Sequence, residues 1–139
     1  MGQDDDGIAA ERGAATRPDL KDSDVSGLST HILDLAAGRP AGGVAVSLYR
    51  RGSGEPTLLG DHRTDADGRA QLLTAGALQA GGYRLTFAIG DYFKGSGAAP
   101  TEPPFLDVVV IDFNVADAGQ KHHVPLLVSP FGYSTYRGS

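Results

Sequence analysis

Cysteine is absent from the chain, which excludes disulfides and thiolate metal sites. Long apolar runs are missing as well: none approaches the roughly 20 residues that a membrane helix needs. Positive charge is not in excess. Lys and Arg number 12 against 17 Asp and Glu, and the formal charge of -5 leaves no basic footprint for nucleic acid. The N-terminus lacks the basic start and apolar core of a secretion signal, so cytoplasmic residence is the expectation. Glycine, by contrast, is abundant. Its 20 residues, with 8 Pro, favour a turn-rich β protein over a helical bundle, and a chain of 139 residues is expected to form one domain.

Residues 1–26 are polar, charged and poor in large apolar groups. They bury too little surface to offset ordering entropy and are expected as a disordered tail, with a short helix over residues 8–15 (IAAERGAA) as the alternative. The folded domain is expected over residues 27–139. Leu28 to Leu33 reads as a strand. Val44, Val46 and Leu48 alternate with Ala45, Ser47 and Tyr49 in a half-buried strand. A weaker strand over Thr57 to Arg63 precedes a tight turn, where Asp65 and Asp67 suit turn positions and Gly68 supplies a positive φ. The Asp-Ala-Asp-Gly of that turn looks like half a calcium loop, but the remaining ligand positions do not follow.

A short helix is expected at Ala75 to Gln79. Tyr83, Leu85, Phe87 and Ile89 then share one parity of a strand that ends at Gly90-Asp91-Tyr92-Phe93. Lys94 to Pro104 reads as a loop and Phe105 to Val115 as the next strand. The closing stretch reads as a β-hairpin: Val124-Pro125-Leu126-Leu127-Val128, a turn at Ser129-Pro130-Phe131-Gly132, and Tyr133-Ser134-Thr135-Tyr136. Val124, Leu126 and Val128 share a face. His123, Pro125 and Leu127 point the other way, so the side opposite the core is expected to be covered. Pro125 argues for an edge position or a strand end. Seven or eight short strands between Gly/Pro turns suggest an all-β sandwich.

Several motifs in this pattern resemble the 5-hydroxyisourate hydrolase family, the transthyretin-related enzymes of purine catabolism. They are Leu28-Ser29-x-His31-Ile32-Leu33-Asp34 with Gly38-Arg39-Pro40-Ala41, then Thr64-Asp65-x-Asp67-Gly68-Arg69, Gly90-Asp91-Tyr92-Phe93, His123-Val124-Pro125-Leu126-Leu127, and the ending Tyr136-Arg137-Gly138-Ser139. The resemblance spans roughly residues 28 to 139. It implies a transthyretin-like β-sandwich of two four-stranded sheets with one short helix. It also implies a homotetramer, a dimer of dimers with sites in a central channel. Some family members carry His-x-His before Val-Pro; here Lys121 stands at the first of those positions.

The implied activity is hydrolysis of 5-hydroxyisourate to 2-oxo-4-hydroxy-4-carboxy-5-ureidoimidazoline, by attack of water on a ring carbonyl. That chemistry needs a base for water, a donor for the oxyanion and a cation to orient a polar heterocycle. The resemblance makes His31 and His123 the catalytic pair, sharing water activation and proton transfer. Arg69, Tyr136 and Ser139 are the expected substrate-binding residues, with Ser139 holding water or substrate through its hydroxyl or terminal carboxylate. His122 is adjacent to His123, and in a strand the two face opposite ways. No cofactor and no metal are expected; His31 and His123 with a carboxylate form the only zinc site that the residues suggest. The alternative is a non-enzymatic transthyretin-like carrier, which shares the fold but has no use for two histidines and an arginine. A purely structural sandwich module explains the strands and not that constellation.

Overall fold

The computed structural model describes residues 27–138. The expected N-terminal tail and Ser139 lie outside them. Among the described residues nine strands, a 3₁₀ turn and one α-helix follow one another: β1 (Leu28–Asp34), β2 (Arg39–Pro40), β3 (Ala45–Arg51), β4 (Thr57–Arg63), β5 (Arg69–Leu73), the turn Ala75–Ala77, β6 (Gly81–Ala88), α1 (Ile89–Ser96), β7 (Val108–Val115), β8 (His122–Ser129) and β9 (Gly132–Thr135). They form a sandwich. One sheet runs β4-β3-β6-β7. The other runs β2-β1-β8-β9, with β5 also paired to β1. The second sheet counts five strands because the two-residue β2 joins the Leu33–Asp34 end of β1.

Period-two patterning builds the core between the sheets. In β1, Leu28, Thr30, Ile32 and Asp34 are buried, while Ser29, His31 and Leu33 are only half-buried on the outer side. Val124, Leu126 and Val128 of β8 meet them from the neighbouring strand, and Val46, Leu48, Leu85, Phe87, Val109 and Ile111 supply the facing sheet. Each large side chain fully buried in this way contributes about 1.5–3 kcal/mol. Buried Thr30 donates its hydroxyl proton to the Val124 carbonyl at 2.7 Å, which adds a side-chain bond to the β1–β8 pairing.

The strand at Tyr83 ends one residue earlier than its parity suggests. Ile89 opens α1 instead of closing β6. Ile89 and Phe93, four residues apart, drop into the core from one helix face. Gly97 stops the helix in the left-handed region at φ 77°, its N–H reaching the Phe93 and Lys94 carbonyls. Among the described residues the one α-helix therefore lies at Ile89–Ser96, and the Ala75 segment makes only a 3₁₀ turn. Pro125 is likewise not at an edge, since β8 has β1 on one side and β9 on the other. The sheet tolerates it because the β9 ladder lapses there. Pairing with β9 ends at Leu126↔Thr135 and resumes only as the isolated bridge His123↔Gly138.

Asp34 is a carboxylate buried at 3% exposure. It accepts the Ala37 N–H at 3.0 Å and the Tyr92 hydroxyl at 2.7 Å, so α1 is tied to β1 through a satisfied polar pair. Burial, and then the bond to Asp34, push the Tyr92 phenol up to about 12. Replacing Tyr92 with Phe should leave that carboxylate one donor short and cost about 1–3 kcal/mol. A thermal melt with an unchanged midpoint would show that the bond contributes nothing.

Candidate active site on the outer face of the five-stranded sheet

Two rows of residues cross this face. β1 and β8 run parallel, with Ser29 opposite His123, His31 opposite Pro125 and Leu33 opposite Leu127. On the other edge of β1, antiparallel β5 sets Arg69 opposite His31 and Gln71 opposite Ser29. The result is Arg69–His31–Pro125 in one row and Gln71–Ser29–His123–Gly138 in the next. His31 and His123 are diagonal neighbours, their ring centroids 6.4 Å apart. The other two histidines are elsewhere. His122 turns inward, buried, with Nδ1 2.9 Å from the Gln120 carbonyl, and His62 lies on β4 in the opposite sheet.

Arg69 is exposed and enters β5 directly from the turn. Asp65 organises that turn: one carboxylate oxygen accepts the Asp67 N–H at 2.9 Å and the Arg69 N–H at 3.0 Å. Gly68 is required at its apex. Its φ is 76°, and a Cβ there would come within 2.5 Å of the Ile32 carbonyl oxygen. The family-like turn thus serves to deliver the arginine beside His31.

Both histidines are held neutral. Burial lowers the His31 pKa first and Arg69 lowers it further, against a hydrogen bond to the Asp67 backbone that raises it. His123 falls to about 4, chiefly through burial, with the positive charges of Lys121 and Arg69 adding to it and any charge on His31 opposing a second one nearby. Cations on the same face thus reinforce the desolvation, and two uncharged imidazoles stand beside a permanent guanidinium. Among the described residues no three His, Cys, Asp or Glu side chains gather as a metal-ligand group.

The sequence-derived candidates divide. His31, His123 and Arg69 come together on this face. Tyr136 follows β9 and is 61% exposed. Ser139 lies outside the described residues. Arg137 returns to the loop before β8, donating to Gln120 Oε1 at 3.2 Å and the Lys121 carbonyl at 3.0 Å. Two contacts carry no assigned role in the sequence reading. The Ser29 hydroxyl lies 2.7 Å from His123 Nδ1, a closeness that only the β1–β8 register reveals. Gly138 donates its N–H to the His123 carbonyl at 2.8 Å. A Cβ on Gly138 would lie 2.8 Å from His123 Cδ2 and 3.2 Å from Pro125 Cγ. The Gly138→Ala variant should therefore displace the His123 ring and lower turnover, with little change in the melting midpoint. Turnover equal to that of the unmodified chain would show that the ring accommodates the methyl.

The HIUase/Transthyretin family model matches residues 28–138. The chain is 62% identical over 115 residues to the 5-hydroxyisourate hydrolase of Caulobacter vibrioides, covering 83% of this chain and 100% of that one. The solved 5-hydroxyisourate hydrolase of Klebsiella pneumoniae superposes with a TM-score of 0.68 at 42% identity, over 81% of this chain and 98% of that one. Sea bream transthyretin, solved in complex with thyroxine, superposes with a TM-score of 0.72 at 32% identity, over 80% and 93% of the two chains. The chain belongs to the HIUase/Transthyretin family.

Proposed function

We propose that this protein is a 5-hydroxyisourate hydrolase. The observation that carries the reading is the pair of neutral imidazoles, 6.4 Å apart, with Arg69 directly across the sheet from His31. The resemblance of the motifs and the names borne by the Caulobacter and Klebsiella relatives support it. A carrier shares the sandwich but leaves this cluster without a task.

In the proposed reaction a water oxygen bonds to a ring carbonyl carbon of the substrate and gives up a proton to His31. His31 suits that step because burial and the neighbouring Arg69 favour its uncharged ring. A neutral imidazole has one N–H, so the second nitrogen keeps its lone pair for water. The carbonyl becomes a tetrahedral oxyanion, which His123 and Arg69 stabilise. Collapse breaks the adjacent C–N bond, the departing nitrogen takes the proton from His31, and the carboxylic acid left on the opened ring ionises by releasing the second water proton to solvent. Arg69 also orients the polar heterocycle through its planar donors. Tyr136 and Ser139 complete the substrate contacts, and no metal takes part.

The assembly is proposed as a homotetramer, a dimer of dimers. The support is the exposure of apolar side chains on edge strands, Val108 and Val110 on β7 and Tyr133 on β9. Cytoplasmic residence is part of the same proposal; no described helix is long and apolar enough to cross a membrane.

The test generates 5-hydroxyisourate from urate with urate oxidase and follows its ultraviolet decay. The protein should accelerate that decay. His31→Ala, His123→Ala and Arg69→Ala should each lower the rate on the order of 100-fold or more. His122→Ala, changed on the core side, should be milder per folded molecule. A folded His123→Ala protein with full activity would remove the central assignment. Prolonged chelation should leave the rate unchanged, whereas loss restored by zinc would overturn the acid–base chemistry.

A further inference from the structure

Resting on the hydrolase reading of the site, we propose that Ser29 is a positioning residue: it pins the His123 ring through Nδ1 and leaves Nε2–H as the group that meets the substrate. The parallel register sets the two residues opposite each other on the outer face, and Oγ lies 2.7 Å from Nδ1. The second torsion of a histidine is broad and roughly two-fold. Rotation by half a turn would exchange Nδ1 with Cδ2 and Nε2 with Cε1. The ring would then offer carbon to Ser29 and withdraw Nε2 from its place.

One contact opposes that flip: Ser29 rewards a nitrogen at the Nδ1 position. The tautomer follows from the hydroxyl. In the proposed arrangement the Ser29 hydroxyl donates its proton to Nδ1 across the 2.7 Å contact. A neutral ring that accepts at Nδ1 carries its own proton on Nε2. Burial and the surrounding cations keep it neutral.

The consequence is a division of labour set before substrate arrives. His31, uncharged beside Arg69, presents a lone pair. His123, accepting from Ser29, presents an N–H. One ring is ready to take a proton from water, and the other to donate to the developing oxyanion or the departing nitrogen. Without Ser29 the His123 ring samples both flips and both tautomers, and only a fraction of molecules holds the productive arrangement.

The test uses the full chain, isotopically labelled, with Ser29→Ala and Ser29→Thr. Nitrogen NMR at neutral pH should show His123 protonated on Nε2 in the unmodified protein. Ser29→Ala should shift its ring nitrogens toward a tautomer mixture and lower kcat about 10-fold, the scale of one lost hydrogen bond, with KM little changed. Ser29→Thr, which keeps a hydroxyl, should restore both. His123 protonated on Nδ1 in the unmodified protein overturns the proposal, and that spectrum decides even if Ser29→Ala fails to fold. Unchanged ring nitrogens and unchanged kcat in a folded Ser29→Ala protein overturn it as well. A protein that shows the Ser29-dependent tautomer but does not open 5-hydroxyisourate would uphold the positioning and sink the hydrolase reading alone.

Discussion

The parallel pairing of β1 with β8 is the constraint on which the site depends. It runs the length of β1, from Leu28↔His122 to Asp34↔Val128, in a sandwich whose other pairings are antiparallel. Because strand side chains alternate, sliding β8 by one residue would exchange its two faces. His122 would move outward and His123 into the core, and Val124, Leu126 and Val128 would lose their burial. The apolar alternation thus holds the geometry of the candidate site, and the buried Thr30–Val124 bond locks the same register from inside. Packing energy is spent on the inner face, and its by-product is the alignment of Ser29, His31 and His123 on the outer one.

Electrostatics then decide what those residues can do. An exposed histidine at neutral pH is a mixture of charged and neutral rings. Here partial burial and the positive charges of Arg69 and Lys121 remove the charged form. The guanidinium favours neutral rings beside it, and in the proposed reaction it would supply fixed charge for an anionic transition state. The turn that places it depends on one carboxylate, Asp65, whose oxygen gathers two backbone N–H groups, and on a glycine that leaves room for the Ile32 carbonyl.

Much of this was legible in the chain. Alternation at Leu28–Leu33, Val44–Leu48 and Val124–Val128 marks strands and their buried faces, and the adjacency of His122 and His123 separates the outward ring from the inward one. The fold class and the meeting of His31, His123 and Arg69 follow the motifs. What escaped depends on pairing between distant segments. Nothing local tells Ser29 that residue 123 will lie opposite, and Pro125 is tolerated in an inner strand only because the β9 ladder lapses beside it. The helix was misplaced for a different reason. Ile89 continues the parity of Tyr83, Leu85 and Phe87, so the strand pattern masks a helical i, i+4 pair at Ile89 and Phe93 whose stop is Gly97.

The central claim is that uncharged imidazoles perform the reaction, and the pH dependence of kcat/KM tests it most directly. Both histidines have pKa values below the ordinary 6.5, so protonation should inactivate the enzyme only on the acid side of that value. Activity should be more than half of its maximum at pH 6.5 and rise toward neutral pH, and it should fall as the pH drops further and the rings become charged. A rate that instead rises on acidification below 6.5 would mean that an imidazolium is the working form, and neutral-base catalysis at His31 would be wrong.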